Sequence, residues 1–67
     1  MDISLNGAPH RFDGASLIEL LAAQAIDRGK PGVAVAINDE IVPRAEWATA
    51  ALKTGDVVEI VRPHSGG

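Results

Sequence analysis

Val57-Val58-Glu59-Ile60-Val61, the stretch VVEIV, sets four β-branched apolar residues around a single glutamate. Such a run fits a strand with neighbours on both sides, so it predicts a central strand of a sheet. Thr54-Gly55-Asp56 before it reads as a turn. After it comes Arg62, then Pro63, whose missing N–H discourages further pairing. If Val58 and Ile60 face a core, the period of two turns Val57 and Val61 away from it.

The other elements are read outward from this strand. Ile3 and Leu5 alternate with Asp2, Ser4 and Asn6, the pattern of a half-buried strand. Asn6-Gly7 is a tight-turn dipeptide and predicts a hairpin, with a short return over residues 9–12. Pro9 suits an edge strand. Ser16 and Glu19 have the spacing of a capping box. Leu17, Leu20 and Leu21 recur at helical period, with Ile18 and Ala22 widening the stripe, so a helix is expected from Leu17 to Ile26, stopped by Gly29 and Pro31. Val33-Ala34-Val35-Ala36-Ile37 reads as a strand with Val33, Val35 and Ile37 on one face and Ala34 and Ala36 on the other. Asn38-Asp39-Glu40 is a turn, and Ile41-Val42 a short return ended by Pro43. Arg44 to Leu52 is Ala-rich and predicts a brief helical turn carrying Trp47.

Hairpin, helix, strand, short strand, strand is the element order of the β-grasp, an α+β fold. It has a mixed sheet of four to five strands, one main helix on one face, and the first and last strands as central neighbours. The expected core is Ile3, Leu5, Leu17, Leu20, Leu21, Val35, Ile37, Leu52, Val58 and Ile60. Residues 1–62 form the domain. Residues 63–67 form a flexible tail, His64-Ser65-Gly66-Gly67 being its last four, able to reach roughly 17 Å when extended.

Composition sets the limits. The chain has 67 residues, enough for one domain. A domain of this size buries only about 60% of its unfolded surface and needs a single well-packed core. With 46% hydrophobic residues it has the material for one. It has no cysteine, which excludes disulfides, thiolate metal sites and Cys-ligated iron–sulfur clusters. His10 and His64 are too sparse to hold a metal. The net charge is −3 with no basic stripe, which argues against nucleic acid. The start lacks the basic and apolar blocks of a secretion signal, and no apolar run is long enough to span a bilayer. A cytoplasmic protein without membrane contact is the expectation. No Gly-rich phosphate loop, Walker-type lysine or nucleophile–base pair is present, so neither a cofactor nor catalysis is expected of this chain.

Val35 to Trp47, with its Asn38, Val42-Pro43-Arg44 and Trp47, resembles a stretch of the ThiS family, the sulfur carriers of thiamine biosynthesis. Leu52 to Val61 and the closing Gly66-Gly67 are similar as well, and the hairpin and Leu-rich helix fit. The resemblance implies a ubiquitin-like carrier. An ATP-dependent, E1-like adenylyltransferase would adenylate the carboxylate of Gly67. A cysteine desulfurase system would supply the sulfur that makes it a thiocarboxylate, and thiazole synthase would receive it. Gly66 and Gly67 would thread the activating site, since they carry no Cβ to obstruct a narrow channel.

Other residues invite a bland reading beside a functional one. Trp47 reads as a core plug before an interface residue. Arg44 reads as a solvated side chain paired with Glu46 or Glu40 before a dock for a partner carboxylate. Asp39 and Glu40, or Asp56 and Glu59, are better explained by turns and a solvated strand face than as an acid–base pair. Val57, Val61, Ala34 and Ala36 form a small apolar patch near the root of the tail. Together with His64 it is the expected docking surface for the activating enzyme and the synthase. The competing functions are the small subunit of molybdopterin synthase, a ubiquitin-like binding module without carrier chemistry, and a β-grasp RNA-binding domain.

Overall fold

The computed structural model describes residues 1–63. It holds β1 (Asp2–Leu5), β2 (Ala8–Arg11), α1 (Leu17–Ala23), β3 (Ala34–Ile37), β4 (Glu40–Ile41), a 3-10 helix (Arg44–Thr49) and β5 (Val57–Val61). The sheet order is β2-β1-β5-β3-β4, so VVEIV is the central strand, as its composition predicts. β5 runs parallel to β1, with Ser4 opposite Val57, and antiparallel to β3, with Val35 opposite Ile60. The five-stranded mixed sheet with one main helix is the expected β-grasp.

Both hairpins turn through left-handed residue pairs. Asn6 and Gly7 have φ of 51° and 83°, and Asn38 and Asp39 have 52° and 67°. Both pairs match the twist of antiparallel strands. The Met1 α-ammonium donates to the Phe12 carbonyl at 2.6 Å, and the Phe12 amide donates back to the Met1 carbonyl at 2.9 Å. Alternation along β1 and β2 then puts Pro9, opposite Ser4, in a position without ladder bonds, where a proline loses nothing.

The capping box forms. Ser16 Oγ accepts from the Glu19 amide at 3.1 Å, and Glu19 Oε1 accepts from the Ser16 amide at 3.1 Å. The helix ends earlier than its sequence pattern suggests. Gln24 is the cap, Ala25 turns left-handed at φ 56°, its amide donates to Ala22, and the Ile26 amide donates back to Leu21. This Schellman closure, not Gly29 or Pro31, stops the helix. It leaves Ile26 packed against the core.

The core lies between α1 and the sheet. Leu17, Leu20, Leu21, Val35 and Val58 are fully buried, joined by Ile3, Phe12, Val33, Trp47, Leu52 and Ile60. Leu5 and Ile37 are only half-buried, because each is the last residue of its strand before a turn. Phe12, Val33 and Trp47 complete a core that periodicity alone leaves short. Asp56 closes the expected turn and is buried in doing so. Its carboxylate accepts from Asn38 Nδ2 at 3.0 Å, the Lys53 amide at 2.9 Å and Lys53 Nζ at 2.7 Å.

Candidate functional site

The described chain leaves the sheet at the end of β5, and two contacts fix that exit. The Arg62 guanidinium donates to the Gln24 carbonyl at 3.3 Å, next to the helix terminus. Pro63 packs on Gly32, whose φ is +91°. A methyl at Gly32 would lie 3.2 Å from Pro63 Cγ and 3.3 Å from its Cβ, so the close seat requires glycine there. Beside the exit is a cleft of about 200 Å³ lined by Ala25, Ile26, Asp27, Lys30, Val33, Arg62 and Pro63. The lining carries no hydroxyl, thiol or imidazole, and its polar side chains are those of Asp27, Lys30 and Arg62. It is a platform from which chain departs.

The outer face of the sheet, opposite α1, is where the expected docking residues fall. Val61 is 63% exposed and Val57 42%. Ala34 sits opposite Val61 and is exposed, while Ala36 sits opposite Glu59 and is half-buried. Glu59 therefore stands within the apolar surface and separates Val57 from Val61. The apolar strip continues from Val61 through Ala34 and Ala36 to Ile41, which pairs with Ala36 and is 72% exposed. Glu59 and Ile41 were legible from the period of two but are missing from the sequence reading of the patch. Gly32 and Arg62 carry no such signal, since their partners are distant in sequence. Gly66, Gly67 and His64 lie outside the described residues.

Arg44 makes neither expected ion pair. Its guanidinium lies 4.4 Å over the Trp47 ring and donates to the carbonyls of Arg28, Lys30 and Val33. Carbonyls of an irregular loop lack strand or helix partners, and a planar fork can serve several at once. Trp47 is the core plug its apolar surroundings predict, with Nε1 donating to Val42 at 2.9 Å.

Two carboxylates have lowered pKa values. For Asp56, burial pushes upward, but bonds from the Lys53 side chain and amide and from Asn38 outweigh it. For Glu19, the amide of Ala15 and the Ser16 side chain favour the charged form. Both are structural groups remote from the exit. No helix among the described residues is long and apolar enough to cross a membrane.

Comparison with known proteins agrees with this geometry. The chain is 38% identical over 63 residues to the sulfur carrier protein ThiS of Thermus thermophilus, covering 94% of this chain and 95% of that protein. It is 37% identical over 54 residues to the sulfur carrier protein ThiS of Escherichia coli, covering 81% and 79%. A thiazole synthase of Paramagnetospirillum magneticum is 38% identical over 68 residues, which take in the whole of this chain but 20% of that protein. The crystal structure of the thiamine biosynthesis protein ThiS from Geobacter metallireducens superposes with a TM-score of 0.79 at 33% identity over the full length of both chains. The ThiS family model matches residues 3–67, and with the fold and the segment from Val35 to Trp47 in agreement, this chain belongs to the ThiS family.

Proposed function

We propose that this chain is the sulfur carrier for the thiazole moiety of thiamine, with the carboxylate of Gly67 as its working group. The family match over residues 3–67 carries the reading. The rigid exit at Arg62 and Pro63 supports it, because a carrier must present its terminus from a fixed body.

The chain acts as a macromolecular cosubstrate rather than as a catalyst. A carboxylate resists nucleophilic attack. One Gly67 oxygen attacks the α-phosphorus of ATP on an E1-like adenylyltransferase, pyrophosphate leaves, and an acyl-adenylate forms. The outer sulfur of a persulfide supplied by a cysteine desulfurase system then displaces AMP to give an acyl disulfide, and a thiol reductant attacks the carrier-distal sulfur, forming a new disulfide and leaving a thiocarboxylate on Gly67. The bound sulfur is passed to thiazole synthase without release of free sulfide. A protein named thiazole synthase resembles this whole chain in one fifth of its own length, which supports a working contact between carrier and synthase. It favours the thiamine pathway over a molybdopterin synthase subunit. All of these steps belong to the cytoplasm, where ATP and the desulfurase meet.

In the docked complex the strip from Val61 to Ile41, with Val57, faces the partner, and Glu59 fixes register. Gly66 and Gly67 thread the activating site, and His64 lies at its mouth. Intact mass after incubation with ATP, the activating enzyme and a sulfur source tests the reading. The expected result is exchange of one oxygen for sulfur, lost when Gly67 is deleted. An unchanged mass, with a known ThiS carrier converted in the same mixture, refutes it.

A further inference from the structure

Residues 27–32, between α1 and β3, are exposed throughout. Bonds within this loop run from the amides of Gly29 and Lys30 back to Asp27. From outside, Arg44 holds it, donating to Arg28, to Lys30 at 3.1 Å and to Val33 at 3.4 Å. The fork is itself anchored, since it lies on Trp47, which is buried and bonded to Val42. The same loop forms the seat of the exit. Gly32 touches Pro63, Lys30 and Val33 line the cleft with Arg62 and Pro63, and Ala34 pairs with Val61.

We infer that Arg44 is a positioning residue for the tail: its fork fixes the loop ahead of β3, and that loop fixes the direction in which the chain leaves β5. The inference rests on the carrier reading, because a preset exit matters where a partner captures the terminus. A loop already ordered spares the partner the entropy of ordering it. Arg44 touches no reacting atom, so its effect falls on capture rather than on chemistry. In kinetic terms, KM for the carrier moves and kcat does not.

Three variants test this. Arg44→Met keeps contact with Trp47 and removes the fork. Arg44→Lys keeps the charge without the fork. Gly32→Ala leaves Arg44 intact and disturbs the seat of Pro63. Each is expected to raise KM for the carrier about fivefold in adenylation, with kcat unchanged. Amide chemical shifts of the free protein report separately. Arg44→Met is expected to move residues 28–33 and Arg62 while leaving β1 and β2 in place. An unchanged KM in both Arg44 variants, with wild type adenylated normally, overturns the inference whatever Gly32→Ala does. If wild type is not adenylated at all, the carrier reading falls. The shift map then decides alone, and an undisturbed Arg62 overturns the clamp.

Discussion

The side-chain Oδ1 of Asn6 accepts the amide of Ile60 at 2.8 Å, so a residue of the first turn stands in for a strand that has already ended. Asn38 does the same on the other flank, accepting the Val57 amide at 2.9 Å. Both asparagines are left-handed, a conformation Asn tolerates better than most residues. The central strand is thus bracketed by the two hairpin turns. Asn6→Gly keeps the turn but loses the acceptor, and should cost about 1 kcal/mol. Asn6→Ala loses both, and should cost about 2 kcal/mol. Urea unfolding gives the comparison. Equal losses would place the whole cost in the hydrogen bond.

Ala25 closes the helix in a conformation that favours glycine. Ala25→Gly should therefore stabilise the fold by about 0.5–1 kcal/mol, even though glycine within a helix is destabilising. A fall in the unfolding midpoint would show that Ala25 contributes packing worth more than its strain.

Asp56 and Glu19 titrate below their ordinary values of 3.8 and 4.5 in the folded chain. The unfolded chain binds these protons more tightly. Their stabilisation is present above the ordinary values and is lost as pH falls through the lower folded ones. Acid unfolding followed by circular dichroism should show this limb, and Asp56→Asn should flatten it. A limb of the same slope in Asp56→Asn would assign it to other carboxylates.

Val61 lies on the outer sheet face, next to Ala34 and near the exit. Val61→Asp should change stability by no more than about 0.5 kcal/mol. Calorimetric titration should show affinity for the activating enzyme and for thiazole synthase falling about tenfold or more, with one carboxylate beside another at Glu59. Normal affinity for both partners would remove this face from the docking surface.

Gly66→Ala adds one methyl where the activating channel would run. Adenylation, followed as pyrophosphate exchange, should slow by about tenfold or more while the unfolding midpoint stays unchanged. An undiminished rate would mean that the channel is wider than a glycine requires.

Those elements legible in the sequence are fixed by local chemistry. VVEIV is central because its apolar residues need neighbours on both sides. Ser16 and Glu19 cap the helix through bonds three residues apart. Asn6-Gly7 turns because both residues accept positive φ. Longer-range choices leave no local trace. The helix stops at Ala25, where the return of Ile26 to the core outweighs the absence of glycine. Arg44 binds carbonyls 11 to 16 positions away, which no charge pattern encodes. At the exit, Arg62 and Gly32 meet partners from other elements, so residue type alone gives no sign of either role.

The two rims of the sheet have a consequence of their own. On β2, Pro9 occupies one of the two sites that would offer an outward N–H, leaving only Arg11, and β4 is only two residues long. Both borders are therefore poor templates for the addition of a foreign strand. A small body with an open, partly greasy face is thereby less prone to polymerise along its margins.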